Sequence, residues 1–158
     1  MHKQNMEDKE IIKVVQEIVF ESKKLKDKHT EFKDSPANYV CIFSQSNEEF
    51  EKFKSLALEI GEIIEDTYSG PLFQISPIDT TAGKVKLLKV RQYDATRPER
   101  GDSDFTVENY AYLKEKYLDK DVFSLITRED FEMIEIVDPE FNVRVYFSNP
   151  PLDKQLGI

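Results

Sequence analysis

The sequence predicts an α+β fold: an N-terminal amphipathic helix followed by two tandem βαβββ modules that share one mixed sheet. Three observations carry this reading. Apolar residues over 8–26 recur at helical spacing, a capping signature at Ser46 opens a second periodic stretch, and short β-prone runs bounded by Gly and Pro follow it. The same strand, helix, strand, strand, strand order is then legible again over 103–148.

Ile11, Ile12, Val14, Val15, Ile18, Val19 and Leu25 make a wide apolar stripe along the first helix, and such a stripe must be covered. The charged run 23–33 leads into Asp34-Ser35-Pro36, whose proline disfavours helix in the residue before it. Residues 1–36 are therefore read as helix plus linker and 37–158 as the main domain. Asn38-Tyr39-Val40-Cys41-Ile42-Phe43 is apolar on both faces, as suits a strand covered on both sides. Ser46 with Glu49 three residues on is a capping box, and Phe50, Phe53, Ala57, Ile60 and Ile64 continue at three- and four-residue spacing. Gly70-Pro71 and Ala82-Gly83 punctuate strands expected over 63–67, 72–75 and 84–93. Within 84–92 the apolar phase changes between Leu87 and Leu88, which predicts a bulge or a strong twist.

A loop over 94–102 separates the first module, 38–93, from the second, 103–148. The second is read as a strand at 104–107, a helix over 108–118 with Tyr110, Leu113 and Tyr117 on one side, and strands over 123–127, 131–137 and 143–147. Asp138-Pro139-Glu140-Phe141-Asn142 joins the last two as a turn. Pro150-Pro151 cannot donate to a ladder and ends the sheet.

Composition narrows the class. With 39% hydrophobic and 34% charged residues the chain is expected to be globular and soluble. No apolar run is long enough to span a bilayer and no signal-peptide core opens the chain, so no membrane is expected and the cytoplasm is the expected compartment. Cys41 is the only cysteine, which excludes an intramolecular disulfide or a Cys-based metal cluster. A net charge of −9 weighs against nucleic acid as the partner.

Against that acidic background, Lys84, Lys86, Lys89, Arg91, Arg97 and Arg100 face only Asp94 and Glu99 within 84–100. Lys89 and Arg91 are either a solvated strand edge or the anion-binding wall of a pocket. In the loop, Arg97 or Arg100 could grip a carboxylate or phosphate while Asp102 and Asp104 act as base or hard-metal ligands; equally, these charges could pair and tie the modules together. Strand periodicity puts Glu135 with Phe131, Met133 and Val137, so it is either a desolvated acid–base group, the one catalytic candidate, or the partner of Arg144 on the next strand. Tyr39 and Tyr146 are candidate aromatic walls. Gly-rich phosphate loops, Gly-x-Ser-x-Gly elbows and Cys–His pairs are lacking.

The element order, and the turn Asp138-Pro139-Glu140-Phe141-Asn142 with Phe141 where glycine is usual, resemble the vicinal oxygen chelate, or glyoxalase-like, superfamily. The resemblance implies that the two modules curl the sheet into a cup around a site. It further implies metal ligands on the first and last strand of each module, positions that fall near Tyr39, Asp104, Lys89 and either Arg144 or Val145. Only Asp104 among these could bind a metal, because a cationic side chain has no lone pair to give. His2 and His29 both precede the first module.

Three functions are thus expected in turn. The leading one is a glyoxalase-like domain without metal or other cofactor that binds a small anionic molecule in the cup, using Lys89, Arg91, Arg97, Arg144, Tyr39 and Tyr146. The second is a lyase, isomerase or dioxygenase using a divalent metal at Asp102, Asp104 and Glu135. The third is an interaction module whose N-terminal helix docks on a partner, or on a second copy to give a homodimer.

Overall fold

The computed structural model describes residues 6–158, with side chains from residue 9 onward; His2 lies outside them. Helix α1 (Met6–His29) precedes strand β1 (Ala37–Phe43), helix α2 (Asn47–Ile60) and strands β2 (Gly61–Thr67), β3 (Gly70–Thr80) and β4 (Gly83–Arg91). Strand β5 (Gly101–Phe105), helix α3 (Tyr110–Tyr117), strands β6 (Phe123–Thr127), β7 (Glu132–Ile136) and β8 (Val143–Asn149) and helix α4 (Leu152–Leu156) complete the chain. The eight strands form one mixed sheet in the order β2-β3-β4-β1-β5-β8-β7-β6. β1 runs parallel to β4 and β5 parallel to β8; every other neighbouring pair is antiparallel. The sheet is open, with β2 and β6 at its edges.

The core lies on one face of the sheet, where Val40, Ile42, Phe73, Leu88, Val90, Val145 and Phe147 meet the helices. The α1 stripe is covered there: Ile11, Val15 and Val19 are fully buried, and α1 lies against β8, β3, β1 and β5. These residues of the stripe thus meet the protein's own sheet. Lys26 is fully buried in the same layer, its ammonium 2.8 Å from Asp27, donating to the Phe32 carbonyl and 5.1 Å from the Phe105 ring centre.

Helix α2 starts where the capping signature places it. Ser46 Oγ accepts the Glu49 N–H at 3.0 Å, and the Glu49 carboxylate accepts the Gln45 N–H at 2.9 Å, one residue further out than in the usual reciprocal cap. Arg100 also donates to Glu49 at 2.8 Å, so the cap fastens α2 to the β4–β5 loop.

Three departures from the sequence expectations matter for the site. β5 begins at Gly101, so Gly101 and Asp102 belong to a strand and not to the loop. All five of its residues are buried, yet Gly-Asp-Ser-Asp-Phe carries little apolar signal to betray a central strand. The expected irregularity near Leu87 sits chiefly in the neighbouring strand: the β3–β4 register shifts between Gln74 and Ile78, where Pro77 is accommodated, while Val85 and Leu88 both join the helix-side core. Finally, α4 follows Pro150-Pro151 and packs against β1, an element absent from the sequence reading. Among the described residues no helix is long and apolar enough to cross a membrane.

Candidate functional site on the face opposite the helices

Successive side chains of a strand alternate between faces, so residues that flank the core positions point away from α1 and α2. On β4 these are Leu87, Lys89 and Arg91; on β1, Tyr39, Cys41 and Phe43; on β5, Asp102 and Asp104; on β8, Arg144 and Tyr146. The register lines them up. Leu72, Lys89, Cys41, Asp102 and Arg144 form one row across five strands, and Tyr39, Asp104, Tyr146 and Glu135 form the next. Arg97 reaches the same face from the β4–β5 loop, its guanidinium 5.4 Å from the centre of the Phe43 ring. Lys89, Arg91, Arg97, Arg144, Tyr39, Tyr146, Asp102, Asp104 and Glu135 thus share this face, whereas Arg100 turns to the other side, donating to Glu49 at the start of α2 and lying 5.4 Å from the centre of the Phe53 ring.

This face is poorly hydrated at its centre. Leu72, Leu87, Cys41 and Phe43 are at most 3% exposed, and Asp102 and Asp104 are 8% and 3% exposed. Burial is the main cause that raises the Asp102 carboxyl to about 7, and the neighbouring Asp104 adds to it against the pull of Arg97, Lys89 and Arg91. Asp104 is raised to about 6, again chiefly by burial and with help from Asp153 on α4, although hydrogen bonds from Ser148 and Asn38 oppose the rise. Burial pulls the Lys89 ammonium below the usual lysine value and pushes the Tyr39, Tyr146 and Cys41 groups above theirs. Cys41 therefore stays a thiol and is no ready nucleophile.

Pairing divides the charges into two sets. Arg144 Nε donates to Glu99 at 3.0 Å and Nη1 to Glu135 at 3.4 Å, and the Tyr146 hydroxyl donates to the same Glu135 oxygen at 2.6 Å. Glu135, read in the sequence as the acid–base candidate, is therefore engaged with Arg144 and Tyr146, as the alternative reading expected. Asp104 accepts from Ser148 Oγ and backbone N–H and from Asn38. The remaining set is different. Among the described residues Asp102 accepts no hydrogen bond, Lys89 has no carboxylate within ion-pair distance, and the buried Arg91 Nε has no acceptor. The nearest carboxylate oxygen to Arg91 is that of Asp94, at 3.9 Å from Nη2.

The positions where the resemblance implies metal ligands carry Tyr39, Lys89, Asp104 and Arg144. One carboxylate among two cations and a phenol does not fit a divalent ion, and that carboxylate is already occupied by Ser148 and Asn38. Nor are Asp102, Asp104 and Glu135 gathered around a common point: no group of three or more His, Cys, Asp or Glu among the described residues could hold a metal. His29 lies at the end of α1, its ring 2.8 Å from Asp138.

A groove of about 650 Å³ lies elsewhere, between α1 and the β3–β4 turn, lined by Lys13, Gln16, Phe20 and Asp79 among others. Its polar groups are exposed or tied to each other, Gln16 donating to the Asp79 carbonyl at 3.0 Å and Lys84 pairing with the Asp79 carboxylate at 3.0 Å. It therefore lacks the desolvated, unpaired chemistry of the sheet face.

No protein-family model matches the chain, and no curated protein matches it. A solved structure described as "Structural Genomics, Protein EC4020" is similar, with a TM-score of 0.69 at 11% sequence identity, over 94% of this chain and 92% of that one. At that identity the likeness shows a shared fold across nearly the full length of both chains, and nothing about activity.

Proposed function

We propose that this chain is a glyoxalase-like domain without the metal of that superfamily, and that it binds a small anionic molecule on the sheet face opposite α1 and α2. The element order supports the two-module reading, since β1-α2-β2-β3-β4 and β5-α3-β6-β7-β8 repeat one another. So does the sheet order, in which β2-β3-β4-β1 is mirrored by β5-β8-β7-β6 about the β1–β5 pair. That pair is where a site shared by both modules would lie.

One observation carries the functional reading: Lys89 and Arg91 keep donors without carboxylate hydrogen-bond partners beside the buried, unpartnered Asp102. Placing charges in a desolvated setting is costly unless something pairs with them, and among the described cations of this face Arg144 has two carboxylate partners, Glu99 and Glu135. A carboxylate or phosphate bound near Cys41 would have Lys89 and Arg97 as neighbouring cations, with Tyr39 and Tyr146 in the adjoining row.

The test is a thermal-shift series on the whole chain with phosphate, sulfate, malonate, pyruvate and 2-oxoglutarate, repeated on Lys89→Met and Arg97→Met. At least one anion is expected to raise the melting temperature, and each substitution to weaken its binding by about tenfold, or ~1.4 kcal/mol. Silence from every anion, or variants that bind as well as the parent, would refute the reading.

A further inference from the structure

We infer that the edge strand β6 pairs antiparallel with β6 of a second copy of this chain, about a two-fold axis at Leu125, and so joins two eight-stranded sheets into one. The contact lies at the rim of the sheet, away from the β1–β5 junction.

Hydrogen bonding within the sheet shows which backbone groups of β6 are free. Val137 donates to the Val122 carbonyl at 3.1 Å and Arg128 to the Phe131 carbonyl at 2.8 Å, and the β6–β7 register runs unbroken between these two pairs. In an antiparallel ladder alternate residues bond the same neighbour, so Ser124 and Ile126 also turn their peptide groups to β7, and Phe123, Leu125 and Thr127 turn theirs outward. Two of the outward groups are already engaged. The Phe123 N–H donates to the Lys120 carbonyl at 3.0 Å, and the Thr127 carbonyl accepts from Arg128 Nη1 at 3.1 Å. Among the described residues this leaves the Phe123 carbonyl, the Leu125 N–H and carbonyl, and the Thr127 N–H without a partner.

A second copy of the same strand completes that set. With Leu125 opposite Leu125 of the second copy, each Leu125 N–H reaches the other's carbonyl, and each Thr127 N–H reaches the Phe123 carbonyl of the other copy. Either adjacent two-fold register instead sets a free group against one that Lys120 or Arg128 already engages.

The side chains agree with the backbone. β6 carries no charge, and Leu125, 38% exposed, shares a face with its pairing partner Ile134, which is fully buried. Across the axis Leu125 meets its copy, and the apolar layer continues from one chain into the other. The opposite edge is built against such pairing: β2 carries Glu62, Glu65 and Asp66, and its register with β3 shifts between Ile63 and Glu65. Charges and bulges keep strand edges apart, so the contact closes as a dimer and does not grow from both edges.

Sedimentation equilibrium of the whole chain from about 10 μM to about 1 mM should show a reversible monomer–dimer equilibrium, the strength a small interface supports. Across that range, amide exchange followed by NMR should slow at Leu125 and Thr127 and stay unchanged at Ser124 and Ile126, whose N–H groups already face β7. Leu125→Lys sets two ammonium groups against each other across the axis, and Thr127→Pro removes an outward donor while leaving the β7 ladder intact; each should weaken association by at least about tenfold. Where Leu125→Lys disturbs the fold of the single chain, Thr127→Pro decides. Ile63→Lys, on the other edge, should associate as the parent does. A chain that stays monomeric at ~1 mM, or a dimer that keeps its strength in Thr127→Pro or loses it in Ile63→Lys, overturns the β6 pairing.

Discussion

At the scale of single residues, the decisive feature is which carboxylate the guanidinium of Arg144 chooses. Its backbone pairs with Asp102, but its side chain reaches Glu99 and Glu135 instead. Periodicity alone put Glu135 on the right face and proposed Arg144 as its partner, so that much was legible. That Asp102 would be left without a donor was not, because the choice depends on Glu99, which the β4–β5 loop brings back to within 3.0 Å of Arg144. The cost of this arrangement should be measurable. An aspartate titrates near 4 in an unfolded chain and near 7 here, so the folded state binds the proton more tightly. Its contribution to stability is then greatest below about pH 4, declines as pH rises towards 7 and is flat beyond. Asp102→Asn removes that decline, and urea unfolding should find the variant more stable than the parent by about 1–3 kcal/mol near pH 8, with the gap closing towards pH 4. A variant less stable than the parent near pH 8 would mean that Arg97 and Lys89 stabilise the Asp102 charge more than burial penalises it.

At the scale of elements, helices and apolar strands were readable and the polar strand was not. The α2 start at Ser46 and the α1 stripe follow from local spacing, which a sequence displays directly. Strand β5 follows from its neighbours: Gly-Asp-Ser-Asp-Phe is extended because β1 and β8 saturate its backbone on both sides. Gly101 is part of the reason it fits. A Cβ there would lie 2.2 Å from the Cys41 carbonyl oxygen and 2.8 Å from Ile18 Cδ1, so only glycine lets α1 and β1 approach the strand this closely. Gly101→Ala should therefore destabilise the protein by about 2–4 kcal/mol, an overpacking cost where backbone cannot yield, whereas Ser46→Ala should cost only about 1 kcal/mol through the lost cap. Denaturant midpoints compare the two directly, and equal losses would contradict the close packing of α1 on β5.

At the scale of the whole molecule, one sheet separates two environments. One face buries the apolar core under α1, α2 and α3, and the other gathers tyrosines, cations and carboxylates around the β1–β5 junction. The sequence shows the alternation that makes both faces possible, but the row Lys89, Cys41, Asp102, Arg144 exists only through pairings between segments far apart in the chain. The central claim is that this row is an anion site built around an unpartnered carboxyl. The groups facing Asp102 are Tyr39 and Cys41 from β1, Lys89 and Arg91 from β4, Arg97 from the loop, Asp104 on its own strand, and Arg144 and Tyr146 from β8. Binding of an anion among them should favour the protonated carboxyl, since one negative charge then replaces another. The most direct measurement is a ¹³C NMR titration of the Asp102 carboxyl, assigned with Asp102→Asn, in the absence and presence of phosphate. The account predicts a midpoint near 7 that moves upward with phosphate. A midpoint near 4 that phosphate leaves unmoved would contradict it.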